Sequence, residues 1–200
     1  MNADDFRNLA VRNPVNDALL DELMRLELPD AWIVSGCLTQ TIWNIQTGRA
    51  IDYGIDDYDV FYFDPDLSWE AEDLVIGRLR ETSARLGVRI EVRNQARVHL
   101  WYQQKHGTLY PALHRATDGI DRFLIRCSQV GIQRRRDGDR IYARESFDDI
   151  ADMMARPNFT PNFSPQAYRI KTARWISRWP ELTVLPPSGE LAATRADDAP

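Results

Sequence analysis

Asp56, Asp57 and Asp59 stand inside a run that otherwise favours a strand, I-D-D-Y-D-V-F-Y-F-D at residues 55–64. Residues two apart in a strand point to the same face, so Asp57 and Asp59 are expected to project together. Two carboxylates side by side in a largely apolar strand repel each other and lose hydration, a cost that a bound divalent cation would remove. Hard oxygen donors of this kind suit Mg²⁺ or Mn²⁺. A third carboxylate follows in V-R-I-E-V at residues 88–92, where Glu91 alternates with the apolar residues and leaves their face. If these two strands are neighbours, Asp57, Asp59 and Glu91 converge as a phosphoryl- or nucleotidyl-transfer site requires. The same residues admit a structural reading: a D-x-D pair at a strand edge is commonly a solvated turn or an arginine partner, and Arg89 and Arg93 flank Glu91.

Further polar groups follow the third carboxylate. Asn94, Gln95, Arg97 and His99 extend that strand or the loop after it, and if the strand continues, alternation puts Gln95, Arg97 and His99 on the Glu91 side. Arg97 would then neutralise a triphosphate and His99 orient it; a polar network holding the sheet edge is the competing reading. Ser35-Gly36-Cys37 lies between a short apolar run and a helical pattern, where a small residue lets backbone N–H groups approach phosphate near the positive end of a helix; an ordinary glycine turn reads equally from the spacing. Lys171 is a conceivable triphosphate ligand, but its default reading is a surface lysine. His99, His106 and His114 with Cys127 match no closed zinc spacing.

The elements that must position these groups read as an alternation. Apolar spacing is helical from Asn16 until Pro29-Asp30, and residues 31–34 form a strand that turns at Ser35-Gly36 into a helix over 38–45. Residues 57–63 form the D-x-D strand, Ser68 caps a helix over 69–86 that stops at Gly87, and 88–92 is the carboxylate strand. Farther on, residues 123–132 and 140–143 read as strands joined through the Asp137-Gly138 hairpin signal. Ser146 begins a short helix, and Ser164-Pro165 begins a longer one that runs to Trp179-Pro180. Arg134, Arg135 and Arg136 fall at the hairpin tip, where they would be solvated or would steer an anionic acceptor. The expected class is α/β, a mixed sheet flanked by helices, in one domain over residues 1–185 with a disordered tail from 186 to 200.

Composition narrows the partners. The chain has 200 residues, 44% hydrophobic and 28% charged, enough apolar material for one ordinary core, which excludes a fibrous or wholly disordered protein. Its 25 Lys+Arg against 30 Asp+Glu give a formal charge of -5, which argues against a broad basic surface for long nucleic acid and favours a small molecule or a protein as partner. No run approaches a membrane span, the N-terminus lacks a signal-peptide pattern, and two distant cysteines suggest no disulfide framework, so a cytoplasmic location is expected.

The order strand-glycine-helix, D-x-D strand, helix, carboxylate strand resembles the plan of the DNA polymerase β-like nucleotidyltransferase superfamily. The chain is closer still to one bacterial branch of nucleotidyltransferase family proteins. The segments that carry the likeness are S-G-C-L-T-Q-T-I-W-N (35–44), I-D-D-Y-D-V-F-Y-F-D (55–64), E-V-R-N-Q-A-R-V-H-L-W (91–101), F-D-D-I (147–150), R-P-N (156–158) and W-P (179–180). The resemblance spans about residues 30–183 and implies a polymerase β-like sheet with added C-terminal elements. It implies that Asp57, Asp59 and Glu91 are the metal carboxylates, that Ser35 and Gly36 lie under the phosphates, and that an NTP is the co-substrate with Mg²⁺ or Mn²⁺. The expected activity is transfer of a nucleoside monophosphate from an NTP to a hydroxyl-type acceptor. Because Gly36-Cys37 stands where the superfamily usually has Gly-Gly or Gly-Ser, the alternative is a non-catalytic nucleotide-sensing or protein-interaction module on the same fold.

Overall fold

The computed structural model describes residues 1–187. Of the tail expected to be disordered, residues 188–200 lie outside the described residues. Helix α1 (Ala3–Ala10) opens on a capping box in which the Asn2 side chain accepts from the Asp5 N–H while the Asp5 carboxylate accepts from the Asn2 N–H. This helix precedes the helical spacing that the sequence shows from Asn16 onward. Helix α2 (Pro14–Arg25) is capped by Asn13 with Pro14 in its first turn. Strand β1 (Trp32–Val34) turns at Ser35 into α3 (Gly36–Gln46), and β2 (Tyr58–Tyr62) leads to α4 (Trp69–Leu86), which Ser68 caps and Gly87 ends at φ +67°.

Strand β3 covers Ile90–Asn94, two residues later than expected. It does not continue, because Arg97 becomes the N-cap of α5 (Val98–His106). After α6 (Ala116–Ile120), a 3₁₀ turn at Arg126–Ser128 occupies part of the stretch expected as strand. The strand itself, β4 (Val130–Arg135), pairs with β5 (Gly138–Ala143). Arg135 faces Gly138 in register, so Arg136 and Asp137 form the hairpin tip. The short α7 (Asp148–Ala151) follows the Ser146 hydroxyl, which accepts from the Asp148 N–H, and α8 (Pro165–Arg178) is capped by Ser164. Two short strands, β6 (Met154–Ala155) and β7 (Thr183–Val184), pair in parallel beside the main sheet, an addition that four residues of strand give no periodicity to reveal.

The five-stranded sheet has the order β3-β2-β1-β4-β5. Only β2 and β3 are parallel; the other pairs are antiparallel, which makes the sheet mixed. Alternation along β2 separates two environments. Tyr58, Val60 and Tyr62 are buried in the main core with Ile33, Leu38, Trp43 and Leu79, whereas Phe61 joins Trp32, Val34, Ala116, Ile120 and Phe123 on the opposite face. In the main core, Trp43 meets Trp175 and Trp179 edge to face at centroid distances of 5.3 and 5.7 Å, which seats α8 against α3. Trp43 Nε1–H donates to the Ile150 carbonyl at 3.1 Å and Trp179 Nε1–H to Asn44 Oδ1 at 2.9 Å, so both indoles are buried without orphaned donors. Cys37 and Cys127 are free and buried. Among the described residues, no helix is long and apolar enough to cross a membrane.

Candidate active site

The second face of the sheet is incompletely covered, and the acids lie there. In the parallel β2–β3 pair Asp59 stands directly opposite Glu91, and in the antiparallel β1–β2 pair it stands opposite Val34. Adjacent strands are about 4.8 Å apart, so the side chains of Asp59 and Glu91 leave the sheet as neighbours. Asp57, two residues earlier, follows the same alternation. The turn Ser35-Gly36 begins immediately after Val34, which brings the start of α3 to the same strand end as Asp59.

Electrostatics register this crowding. Burial and then the neighbouring Asp57 charge push Asp59 up to about 7, with Lys171 opposing. Asp57 is raised by burial and by Glu91, with Arg89 and Lys171 opposing. Burial drives the Lys171 ammonium down, while Asp59 pulls it back up, and the Cys37 thiol is raised by burial with Asp59 next in effect. Lys171, Asp59, Asp57 and Cys37 therefore share one electrostatic neighbourhood. The donor set suits a hard divalent cation, and the raised Asp57 and Asp59 are the cost that such an ion would remove. Glu91 itself is turned onto the Arg89 guanidinium, and among the described residues no three His, Cys, Asp or Glu side chains are drawn together tightly enough to hold a metal. Completing a three-carboxylate site requires Glu91 to leave Arg89.

Asp59 and Glu91 open onto a cavity of about 450 Å³ lined also by Arg93, Gln95, Tyr102, Tyr110, Arg122 and Lys171. Three of its cations, Arg93, Arg122 and Lys171, make no ion pair with a carboxylate among the described residues, and two of these lie over aromatic rings. Lys171 Nζ lies 5.2 Å from the Trp175 ring centroid and 5.9 Å from that of Phe123. The Arg122 guanidinium lies 5.4 Å from the centroid of Tyr110, and its Nη1 is buried without a hydrogen-bond partner. The aromatic part of the wall is preassembled: Phe61 stacks on Phe123 at 5.3 Å and Tyr102 packs on Tyr110 at 4.4 Å. An anion with an attached ring matches this lining, with charge at Lys171 and Arg122 and ring at the aromatic wall.

The residues expected to support a triphosphate fall differently. Because β3 ends at Asn94, alternation no longer governs Arg97 and His99, and neither lines the carboxylate cavity. Arg97 Nη1–H donates to Glu72 Oε2 at 2.7 Å in a buried pair, and Glu72 Oε1 accepts from the Asn94 N–H at 2.9 Å. Asn94 in turn ties β3 to the segment after β2: its amide donates to the Asp64 and Asp66 carbonyls, and its Oδ1 accepts from the Asp64 and Ala96 N–H groups. The N-Q-A-R segment is thus a bracket at the end of the sheet, the polar-network reading of those residues. Gln95 alone of them reaches the cavity, where its side chain packs so closely on Gly119 that a Cβ there would come within 2.1 Å of Gln95 Oε1. His99 lies in α5 with Nδ1 buried and unpartnered.

At the glycine turn, Ser35 has φ 62° and ψ -126°, a strained conformation for a residue with a side chain, and its Oγ is buried without a partner. The helical bonds of α3 begin at the Leu38 N–H, which leaves the N–H groups of the first turn as the positive end of the helix beside Asp59. A Cβ at Gly36 would meet the end of the Gln40 side chain at 3.3 Å. Contrary to the surface position expected of it, Lys171 lies three residues after Tyr168 and four before Trp175, on the stripe of α8 that is buried, a spacing visible in the sequence. Arg122 has no such signal, since it lies between α6 and the turn before β4 with no periodicity to aim it.

Comparison with known proteins agrees with this architecture. A protein whose NMR structure is described as revealing a CCA-adding enzyme head domain superposes with a TM-score of 0.74 at 24% sequence identity, covering 93% of this chain and 97% of the other. At that identity the match shows the fold, a nucleotidyltransferase head-domain fold of the polymerase β-like kind. No curated protein sequence matches. The family model described as Nucleotidyltransferase matches residues 21–184, from α2 through β7 and including every acid and cation of the cavity, and the chain therefore belongs to the nucleotidyltransferase family.

Proposed function

We propose that this protein transfers a nucleoside monophosphate from an NTP to a hydroxyl-type acceptor. The observation that carries the reading is the register of Asp59 against Glu91 on adjacent parallel strands, opening with Lys171 and Arg122 onto one cavity. Family membership and the head-domain fold support nucleotidyl transfer in general. Asp57, Asp59 and Glu91 would hold Mg²⁺ or Mn²⁺, which when bound supplies charge neutralisation for the phosphates and a lowered pKa for the acceptor hydroxyl. Lys171 and Arg122 take the phosphate oxygens: neither makes a direct ion pair with a carboxylate among the described residues, and Lys171 lies within electrostatic reach of Asp57 and Asp59. Ser35 and Gly36 present the positive end of α3 at the same strand end. The aromatic wall of Phe61, Phe123, Tyr102 and Tyr110 takes the base.

Asp59→Asn is expected to abolish metal-dependent NTP binding and turnover without unfolding the protein, since it keeps the size of the side chain and removes a costly charge. Unchanged NTP turnover in that variant contradicts the reading. The second reading, a non-catalytic nucleotide-sensing or protein-interaction module, is favoured by the attachment of Glu91 to Arg89 and by the Gly36-Cys37 turn. It predicts nucleotide binding that divalent metal does not change.

A further inference from the structure

A second cavity of about 420 Å³ adjoins the first, lined by Trp69, Glu72, Ile76, Arg93, Arg97, Trp101, Gln104 and Lys105. Arg93 and Trp101 line both cavities, so they are the wall between them. Arg93 follows Glu91 by two residues in β3 and shares its face of the sheet, so the strand leads from the carboxylates directly to this second space.

Its chemistry alternates ring and cation. Trp69, the first residue of α4, is 65% exposed, although an indole is among the side chains that gain most from burial. The Arg97 guanidinium lies 5.5 Å from the Trp69 ring centroid, and Lys105 Nζ lies 5.5 Å from that of Trp101. Three cations line the space against one carboxylate, Glu72, which already accepts from Arg97 and from the Asn94 N–H. Arg93 makes no carboxylate contact among the described residues; its Nη1 donates only to the Val92 carbonyl. Arg97 Nε is buried and has no hydrogen-bond partner. A ligand for this site must offer a flat ring to the indoles and negative charge to Arg93 and Lys105, a combination that stacking platforms with interleaved cations provide for nucleotides.

We infer that this cavity is the acceptor subsite and that the acceptor is a nucleotide, either free or at the end of a short nucleic-acid strand. Its base stacks at Trp69 and Trp101, its phosphate meets Arg93 and Lys105, and its hydroxyl passes the Arg93 wall towards Glu91. The inference rests on the nucleotidyl-transfer reading of the first cavity. It reconciles the negative charge of the whole chain with a nucleotide partner, because the positive surface required is local rather than broad.

The test uses a fluorescein-labelled oligoribonucleotide of about eight nucleotides, with the label at its 5′ end. Fluorescence anisotropy follows its binding to the full chain, with unlabelled AMP as competitor, at several salt concentrations. Trp69→Ala is the informative variant, because its side chain is largely exposed and its loss spares the core. Loss of one stacked base corresponds to about 1–3 kcal/mol, an approximately 5- to 150-fold rise in Kd. Lys105→Glu should weaken binding and flatten its salt dependence. Binding of the oligonucleotide with AMP competing identifies a nucleotide end as the recognised unit; binding without competition identifies a strand longer than one nucleotide; binding of AMP alone, measured by calorimetry, identifies a free nucleotide acceptor. The inference is overturned if neither probe binds, or if Trp69→Ala leaves both affinities unchanged. Thermal stabilisation by NTP with Mg²⁺, measured on the same samples, separates the two claims: its presence with no acceptor binding removes only this inference, and its absence removes the transfer reading.

Discussion

Asp59 is held where burial and a like charge both oppose its ionisation, and this has a measurable consequence in the protein without metal. Its pKa is about 7 in the folded state against 3.8 as its ordinary value. Between those values the folded chain binds the proton that the unfolded chain has released, so this group's contribution to stability is full below pH 3.8 and is lost as pH rises through about 7. Calorimetric melting in metal-free buffer should therefore show Asp59→Asn more stable than the wild type at pH 8, with the gain fading towards pH 4. Each kcal/mol relieved corresponds to about 2–4 °C in Tm for a chain of this size. A constant difference at both pH values would contradict the assignment. Lys171→Met should weaken NTP binding by roughly 10- to 100-fold, the scale of a charged hydrogen bond at about 1.5–3 kcal/mol, as isothermal calorimetry would read. Arg97→Ala has the opposite signature. It leaves the buried Glu72 carboxylate unpaired at a cost of about 3–5 kcal/mol in urea unfolding, yet it should leave NTP stabilisation in place at temperatures where the variant is folded. The placement of Asp59 beside Glu91 was legible because alternation in two strands is a strong local rule. Arg97 and His99 were misplaced because the rule was extended past Asn94, where the strand ends; Arg122 depends on a tertiary arrangement with no local signature.

The elements that carry these groups were largely legible where caps and periodicity agree. Ser68 and Ser164 each accept from the N–H three residues on, and Gly87 ends α4 in the left-handed region, as their residue types suggest. Helix α5 was read as strand or loop because its N-cap, Arg97, offers no side-chain cap, and its sequence mixes Val98, Trp101 and Tyr102 with polar residues in no clear period. Helix α1 has a capping box but few apolar residues to mark its buried side, which consists of Phe6 and Ala10. One element contact offers a sharp test. Gly54 has φ +69°, and a Cβ there would lie 2.8 Å from the Trp179 ring, a buried indole wedged against Trp43 and unable to withdraw. Gly54→Ala should cost about 2 kcal/mol or more in urea unfolding, from the left-handed backbone and the clash together. Since the loop holding Gly54 is tied to α8 by Arg178, which donates to the Gly54 carbonyl and pairs with Asp56, the variant should also loosen the approach to Asp57 and weaken NTP binding. A cost below about 0.5 kcal/mol would show that the loop moves away without penalty.

For the whole molecule, the mixed sheet places carboxylates on one face and the main hydrophobic core on the other, and helix α8 contributes Lys171 to the cavity that Asp59 and Glu91 line. Sequence order alone indicated the strand-helix-strand-helix-strand plan. It did not show that α8 returns to the carboxylate cavity, because that depends on Trp175 and Trp179 packing against Trp43, a contact between residues more than a hundred positions apart. The site's charge balance depends on this return, since Lys171 is the cation opposing both Asp57 and Asp59. The most direct measurement is thermal unfolding with ATP, GTP, CTP and UTP, each with and without Mg²⁺, on the wild type and on the Asp57→Asn/Asp59→Asn variant. A ligand that binds only the folded state must raise its stability. The account predicts a shift for at least one nucleotide that requires Mg²⁺ in the wild type and disappears in the variant; a shift that is indifferent to Mg²⁺, or that survives both substitutions, would contradict it.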